Sequence, residues 1–84
     1  MENNATVLCN LKGLIDAMDA KGYVTVFELG KDGKQKKIAE DRVYKIMVDM
    51  LVTTNYLYKV KRYAVIGLNI DITGASILIK EGEY

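Results

Sequence analysis

Apolar positions recur along the chain with two different periods. Between residues 39 and 57, Ala39, Val43, Ile46, Met47, Met50 and Leu51 return at three- and four-residue steps, which places them on one stripe of a helix. Glu40 and Asp41 fall in the first turn of that helix, where carboxylates complement the exposed amides. Thr53, Thr54 and Asn55 close it. Residues 5 to 21 carry the same pattern in Val7, Leu8, Leu11, Leu14, Ile15 and Met18. Asn3, Asn4 and Thr6 offer capping oxygens at the start, and Lys21-Gly22 supplies a stop with glycine where positive φ is needed. The two apolar stripes are expected to pack on each other. Lys45, Val48 and Val52 lie roughly opposite the stripe of the central helix, so two valines sit where polar groups are the rule. Either another part of the fold covers them or they face a partner.

The remaining segments read as strands. Tyr56 to Arg62 is rich in aromatic and branched residues. Ala64 to Thr73 carries apolar Val65, Leu68, Ile70 and Ile72, with Gly67 marking a bulge or bend. Residues 75 to 79 form either a third strand or a closing helix, and the tail Glu81-Gly82-Glu83-Tyr84 reads as frayed. Residues 23 to 38 support two readings. Tyr23 to Leu29 and Gln35 to Ile38 can be the arms of a hairpin about Lys31-Asp32-Gly33-Lys34. Alternatively, Thr25 and Glu28 form the capping box of a short helix over 26 to 31.

With 84 residues and half of them hydrophobic, residues 1–84 make a single domain. No apolar run reaches the length that spans a bilayer, and the first residues lack the pattern of a secretory signal, so a cytoplasmic protein without membrane contact is expected. The chain has no histidine and one cysteine, Cys9, which reads as a buried thiol on the first helix. A His/Cys zinc site and any histidine-based catalytic group are thereby excluded. The carboxylates show no calcium-loop spacing. The expectation is a protein that is not an enzyme and has no metal or other cofactor.

Charge is unevenly placed. Residues 31 to 62 hold nine Lys or Arg against four Asp or Glu, and the rest of the chain holds three against seven. A basic middle between acidic ends is a pattern to which nucleic acid responds, although scattered lysines also serve simply as a solvated surface.

The order of these cues resembles small winged helix-turn-helix proteins, the compact DNA-binding regulators of archaea and their viruses. Gly22-Tyr23-Val24 stands where the first helix of that family ends, and Thr25, Glu28 and Leu29 match its second-helix opening. Asn55-Tyr56-Leu57 takes the place of the Gly-Tyr-Leu turn that begins the wing, and basic Lys59, Lys61 and Arg62 follow. Asp71-Ile72-Thr73-Gly74 sits where an Ile-Thr element precedes the last segment. The similarity runs from residue 7 to about residue 75. It implies an α+β winged helix-turn-helix fold; a mixed α-β-hairpin-α-β-hairpin fold is the alternative.

The implied function is double-stranded DNA binding in transcription regulation. Lys36, Lys37, Arg42, Tyr44 and Lys45 would lie on or just before the recognition helix, with Arg42 placed for a bidentate contact to guanine. Lys59, Lys61 and Arg62 would meet phosphates from the wing. Val48 and Val52 are the expected dimer interface. The alternative is a protein-interaction module, an adaptor or inhibitor on a small α+β scaffold that does not touch DNA.

Overall fold

The computed structural model describes residues 9 to 83. Its elements, in order, are α1 (Leu11–Asp16), β1 (Tyr23–Leu29), β2 (Gln35–Arg42), α2 (Val43–Asp49), α3 (Tyr56–Val60), β3 (Tyr63–Asp71) and β4 (Gly74–Glu83). The strands make one mixed sheet in the order β2-β1-β4-β3. The two hairpins are antiparallel, and β1 lies parallel to β4 at the centre. The fold is α+β.

One face of the sheet carries the core. Val24 and Val26 of β1, Val65 of β3, and Ala75, Ile77 and Ile79 of β4 are buried against Leu11 and Ile15 of α1, Val43 and Ile46 of α2, Met50, and Leu57 and Val60 of α3. This alternation on the strands is the period-2 pattern of a sheet covered on one side. The stripes of α1 and α2 do meet across this layer.

The ambiguous segment is a hairpin. Gly33 takes φ +82, and Gly30 and Lys34 close the turn through Gly30 N donating to Lys34 O at 2.9 Å. Asp32 fixes it by accepting from Lys34 N at 3.0 Å. The Asp-Gly pair thus does what its turn chemistry requires. No capping box forms at Thr25 and Glu28, because both belong to β1.

Four further expectations are corrected. The first helix is shorter: Asn10 caps α1 by accepting from Gly13 N at 2.8 Å, and the helix ends at Asp16 with Ala17 as its C-cap. Cys9 precedes it and is half-buried. Gly22 has no left-handed φ, and the expected capping residues Asn3, Asn4 and Thr6, with Val7 and Leu8, lie outside the described residues. Second, residues 39 to 42 are strand. Ala39 pairs with Val26 and Asp41 with Val24, so Glu40 and Asp41 stand on β2 rather than in a helical turn.

Third, Leu51 leaves the core stripe and is 71% exposed. After Met50 the chain tightens, with Leu51 N donating to Val48 O at 3.0 Å, and that three-residue step rotates Leu51 outward.

Fourth, Tyr56 to Val60 is a helix. Asn55 caps its start by accepting from Leu57 N at 2.8 Å, in place of the expected role at the end of the preceding helix. A strand here would bury either Leu57 or Val60; the helical spacing i, i+3 buries both.

The tail is likewise ordered into β4 as far as Glu83, which pairs with Tyr63. The element order therefore departs from a winged helix at two places: β1 and β2 stand where a second helix was expected, and α3 where the wing strand was.

Candidate interaction surfaces

The basic residues lie on two sides of the sheet. A bulge in β2 skips Ile38 in the pairing with β1. Because of it, Lys37 and Glu40 share the helix-free face, although residues three apart on a regular strand point oppositely. Lys37 Nζ meets Glu40 Oε1 at 2.6 Å, and the Tyr23 hydroxyl donates to Glu40 Oε2 at 3.0 Å. The Lys37 ammonium, and then the Tyr23 hydroxyl, hold the Glu40 carboxyl below its ordinary range, while the same bonds push Lys37 and Tyr23 up.

Arg42 lies over the Tyr23 ring, 5.6 Å from its centroid, and donates from Nη1 to Lys21 O at 3.2 Å. Lys37 and Arg42 are thus engaged with their neighbours rather than presented from a recognition helix.

The N-terminus of α2 is not open to a phosphate. Val43 N donates to Gly22 O at 2.8 Å and Tyr44 N to Ala20 O at 3.0 Å, so the preceding turn already satisfies these amides. Tyr44 and Lys45 are exposed on α2. Lys59 is on α3, with its ammonium 5.8 Å from the Tyr56 ring centroid, and Lys61, at the end of α3, lies 3.9 Å from that of Tyr58. Arg62 follows in the turn. Lys36 pairs with Glu28, and Tyr56 of α3 donates to Glu28 Oε1 at 2.5 Å, which puts this group on the helix-bearing side.

That last bond raises the Tyr56 hydroxyl to about 12 from an ordinary value of 10.0, first through the hydrogen bond to Glu28 and then through partial burial. The raised value means that the protonated form is the one the fold favours. Its contribution is complete below about pH 10 and is lost as pH rises through about 12. Ultraviolet titration of the tyrosines should therefore show a component ionising at about pH 12, later than those of Tyr23 and Tyr63, that Tyr56→Phe removes. Its persistence in that variant would assign the shift elsewhere.

Two apolar surfaces remain. On α2 and the turn beyond it, Tyr44, Val48, Leu51 and Val52 are exposed, Val48 at 54% and Val52 at 43%, and no described residue covers them. On β3, Ile66, Leu68, Ile70 and the loop residue Ile72 are exposed. The period-2 spacing of the last three is visible in the sequence, but which side of the sheet lacks a neighbour is not. Tyr23 and Glu28 were not singled out for these contacts, since their partners are distant in sequence.

Among the described residues, no group of three His, Cys, Asp or Glu side chains could hold a metal. No helix there is long and apolar enough to cross a membrane. In comparisons with known proteins, no family model matches the chain, and neither a curated protein nor a solved structure shows significant similarity to it.

Proposed function

We propose that the protein is an interaction module that docks another protein on the outer face of α2. The observation that carries this reading is the apolar ridge of Tyr44, Val48, Leu51 and Val52. Tyr44 to Val48 and Val48 to Val52 are four-residue steps and Leu51 adjoins Val52, so they make one strip along α2 and the turn beyond it, and strips of this kind mark protein-binding surfaces. Burial of such a strip against a partner would supply the binding energy, with Lys45 at its edge favouring acidic groups on the partner's rim.

A photo-crosslinking residue placed at Val48 should give a discrete adduct with one other protein. Once that protein is purified, Val48→Glu combined with Val52→Lys should weaken its binding about thirtyfold or more while leaving the fold unchanged. Unaltered affinity in the folded double variant would remove α2 as the docking face.

Duplex DNA binding is the second reading, favoured by Tyr44, Lys45, Lys59, Lys61 and Arg62 on or directly after the two consecutive helices α2 and α3. A mobility shift that weakens with salt, and less steeply once Lys59, Lys61 and Arg62 are replaced together, would support it.

A further inference from the structure

The two edges of the sheet are built differently. β2, at one edge, carries Lys36, Lys37, Glu40, Asp41 and Arg42 and is broken by a bulge, the usual defences against pairing with another chain. β3, at the other edge, has no charged side chain from Tyr63 to Ile70. Its first part is covered: Asn10 bridges Ala64, and Val65 donates its N–H away from β4 to Cys9 O at 3.1 Å.

The bulge between Val65 and Gly67 inserts Ile66. Beyond it the alternation resumes, so Gly67, Asn69 and Asp71 direct their backbone groups to β4, while Leu68 and Ile70 direct theirs outward. Among the described residues nothing meets these outward groups. The side chains of Leu68 and Ile70 are 45% and 70% exposed.

We propose that this edge pairs with the same edge of a second copy, antiparallel, about a two-fold axis at Asn69. The register follows from the side chains. With Asn69 opposite Asn69, Leu68 of each copy faces Ile70 of the other, and the two residues exchange both backbone bonds. Their side chains form one apolar cluster on the helix-bearing face, and the ends bring Ile66 toward Ile72 of the other copy. On the helix-free face the two Asn69 amides can bond to each other.

Asp71 falls opposite Gly67, so no like charges confront each other, and its carboxylate already accepts from Thr73 N at 2.8 Å and from the Thr73 hydroxyl at 2.5 Å. A shift of the axis to Leu68 sets Ile70 opposite the bulge residue Ile66, and a shift to Ile70 sets Leu68 opposite Ile72 in the hairpin loop. The strip is therefore self-complementary in this register, as a two-fold contact requires. A seven-residue strip per copy is smaller than a standard interface, so the dimer is dissociable and depends on concentration. The contact uses none of the α2 ridge, and it stands whether or not that ridge binds another protein.

The test is sedimentation of the full chain over a concentration series beside Ile70→Pro and Leu68→Lys, with amide hydrogen exchange at Leu68 and Ile70. Proline at 70 removes only an outward N–H, so the β3–β4 ladder should survive, and circular dichroism with a thermal scan checks that it does. The expected result is a dimer whose dissociation constant rises at least about tenfold in each variant, with protection of the Leu68 and Ile70 amides growing with concentration.

Three results would each overturn the proposal. One is a wild-type chain that stays monomeric at the highest concentrations. Another is a dimer indifferent to both variants, or lost instead in Val48→Glu, Val52→Lys. The third is amide protection independent of concentration, which would mean that the edge is closed within one chain.

Discussion

Ile77→Asp is expected to leave no cooperative thermal transition. Ile77 is fully buried on β4, opposite Val26 on one side and Leu68 on the other, so every strand but β2 meets at or beside it. A carboxylate there would have no partner, because no polar or charged side chain is buried among the described residues. The cost of an unpaired buried charge is several kcal/mol. A domain of this size has only about 0.05–0.15 kcal/mol of stability per residue to set against it. Ile77→Val, which removes one methyl group without adding charge, should cost about 0.5–1.5 kcal/mol and keep a sharp transition. Circular dichroism during heating and in urea would measure both, and a folded Ile77→Asp chain would show that β4 is not the centre of the sheet.

The second large effect is expected at Gly74. Its φ is +139, and a Cβ built on it would lie 2.4 Å from Tyr23 O, 3.1 Å from the Tyr23 carbonyl carbon and 3.3 Å from Tyr23 Cβ. These atoms are mostly backbone at the start of β1, so relief requires the two central strands to move apart where their parallel pairing begins. Gly74→Ala should therefore destabilise by about 3 kcal/mol or more, combining backbone strain with overpacking. Gly82 and Gly33 are controls, since both have positive φ and neither has an atom within 4 Å of the added carbon. Alanine at either should cost only the conformational part, about 1–2 kcal/mol. Equal losses at the three glycines would show that φ alone, and not the approach of β1, sets the requirement at Gly74.

The strand over 64 to 73 and most of the core were legible because each rests on a local signal, whereas local signals left residues 23 to 38 open between hairpin and short helix and residues 75 to 79 open between strand and helix. Residues 39 to 43 show where such signals fail. A spacing of four is one helical turn and also two strand repeats, so Ala39 and Val43 fit either period, and pairing with β1 decides. At Tyr56 to Val60, strand propensity was outweighed by the Asn55 cap and the joint burial of Leu57 and Val60.

The candidate site was less legible than the fold. Nine cations gathered along residues 31 to 62 are separated in space: β2 places Lys37 and Arg42 on the helix-free face and Lys36 on the other, Lys31 and Lys34 lie in the turn between β1 and β2, and Lys45, Lys59, Lys61 and Arg62 lie on or directly after α2 and α3. The exposed Val48 of α2 and Val52 of the turn beyond it were visible from periodicity alone, whereas the bare edge of β3 depends on strand order, which no local pattern encodes.

Placing β4 between β1 and β3 also governs when the sheet can be completed. Val24 must find Ala75, and Leu29 must find Lys80, so the central contacts span about fifty residues. Contacts this distant slow folding, because the loop must close before burial repays its entropy. During synthesis the first hairpin and all three helices emerge before β4 exists, and until then the edge of β1 that β4 pairs with is bare. A ribosome-bound chain halted before residue 74 should thus remain protease-sensitive throughout, and protection should arise in one step once the final strand clears the exit tunnel.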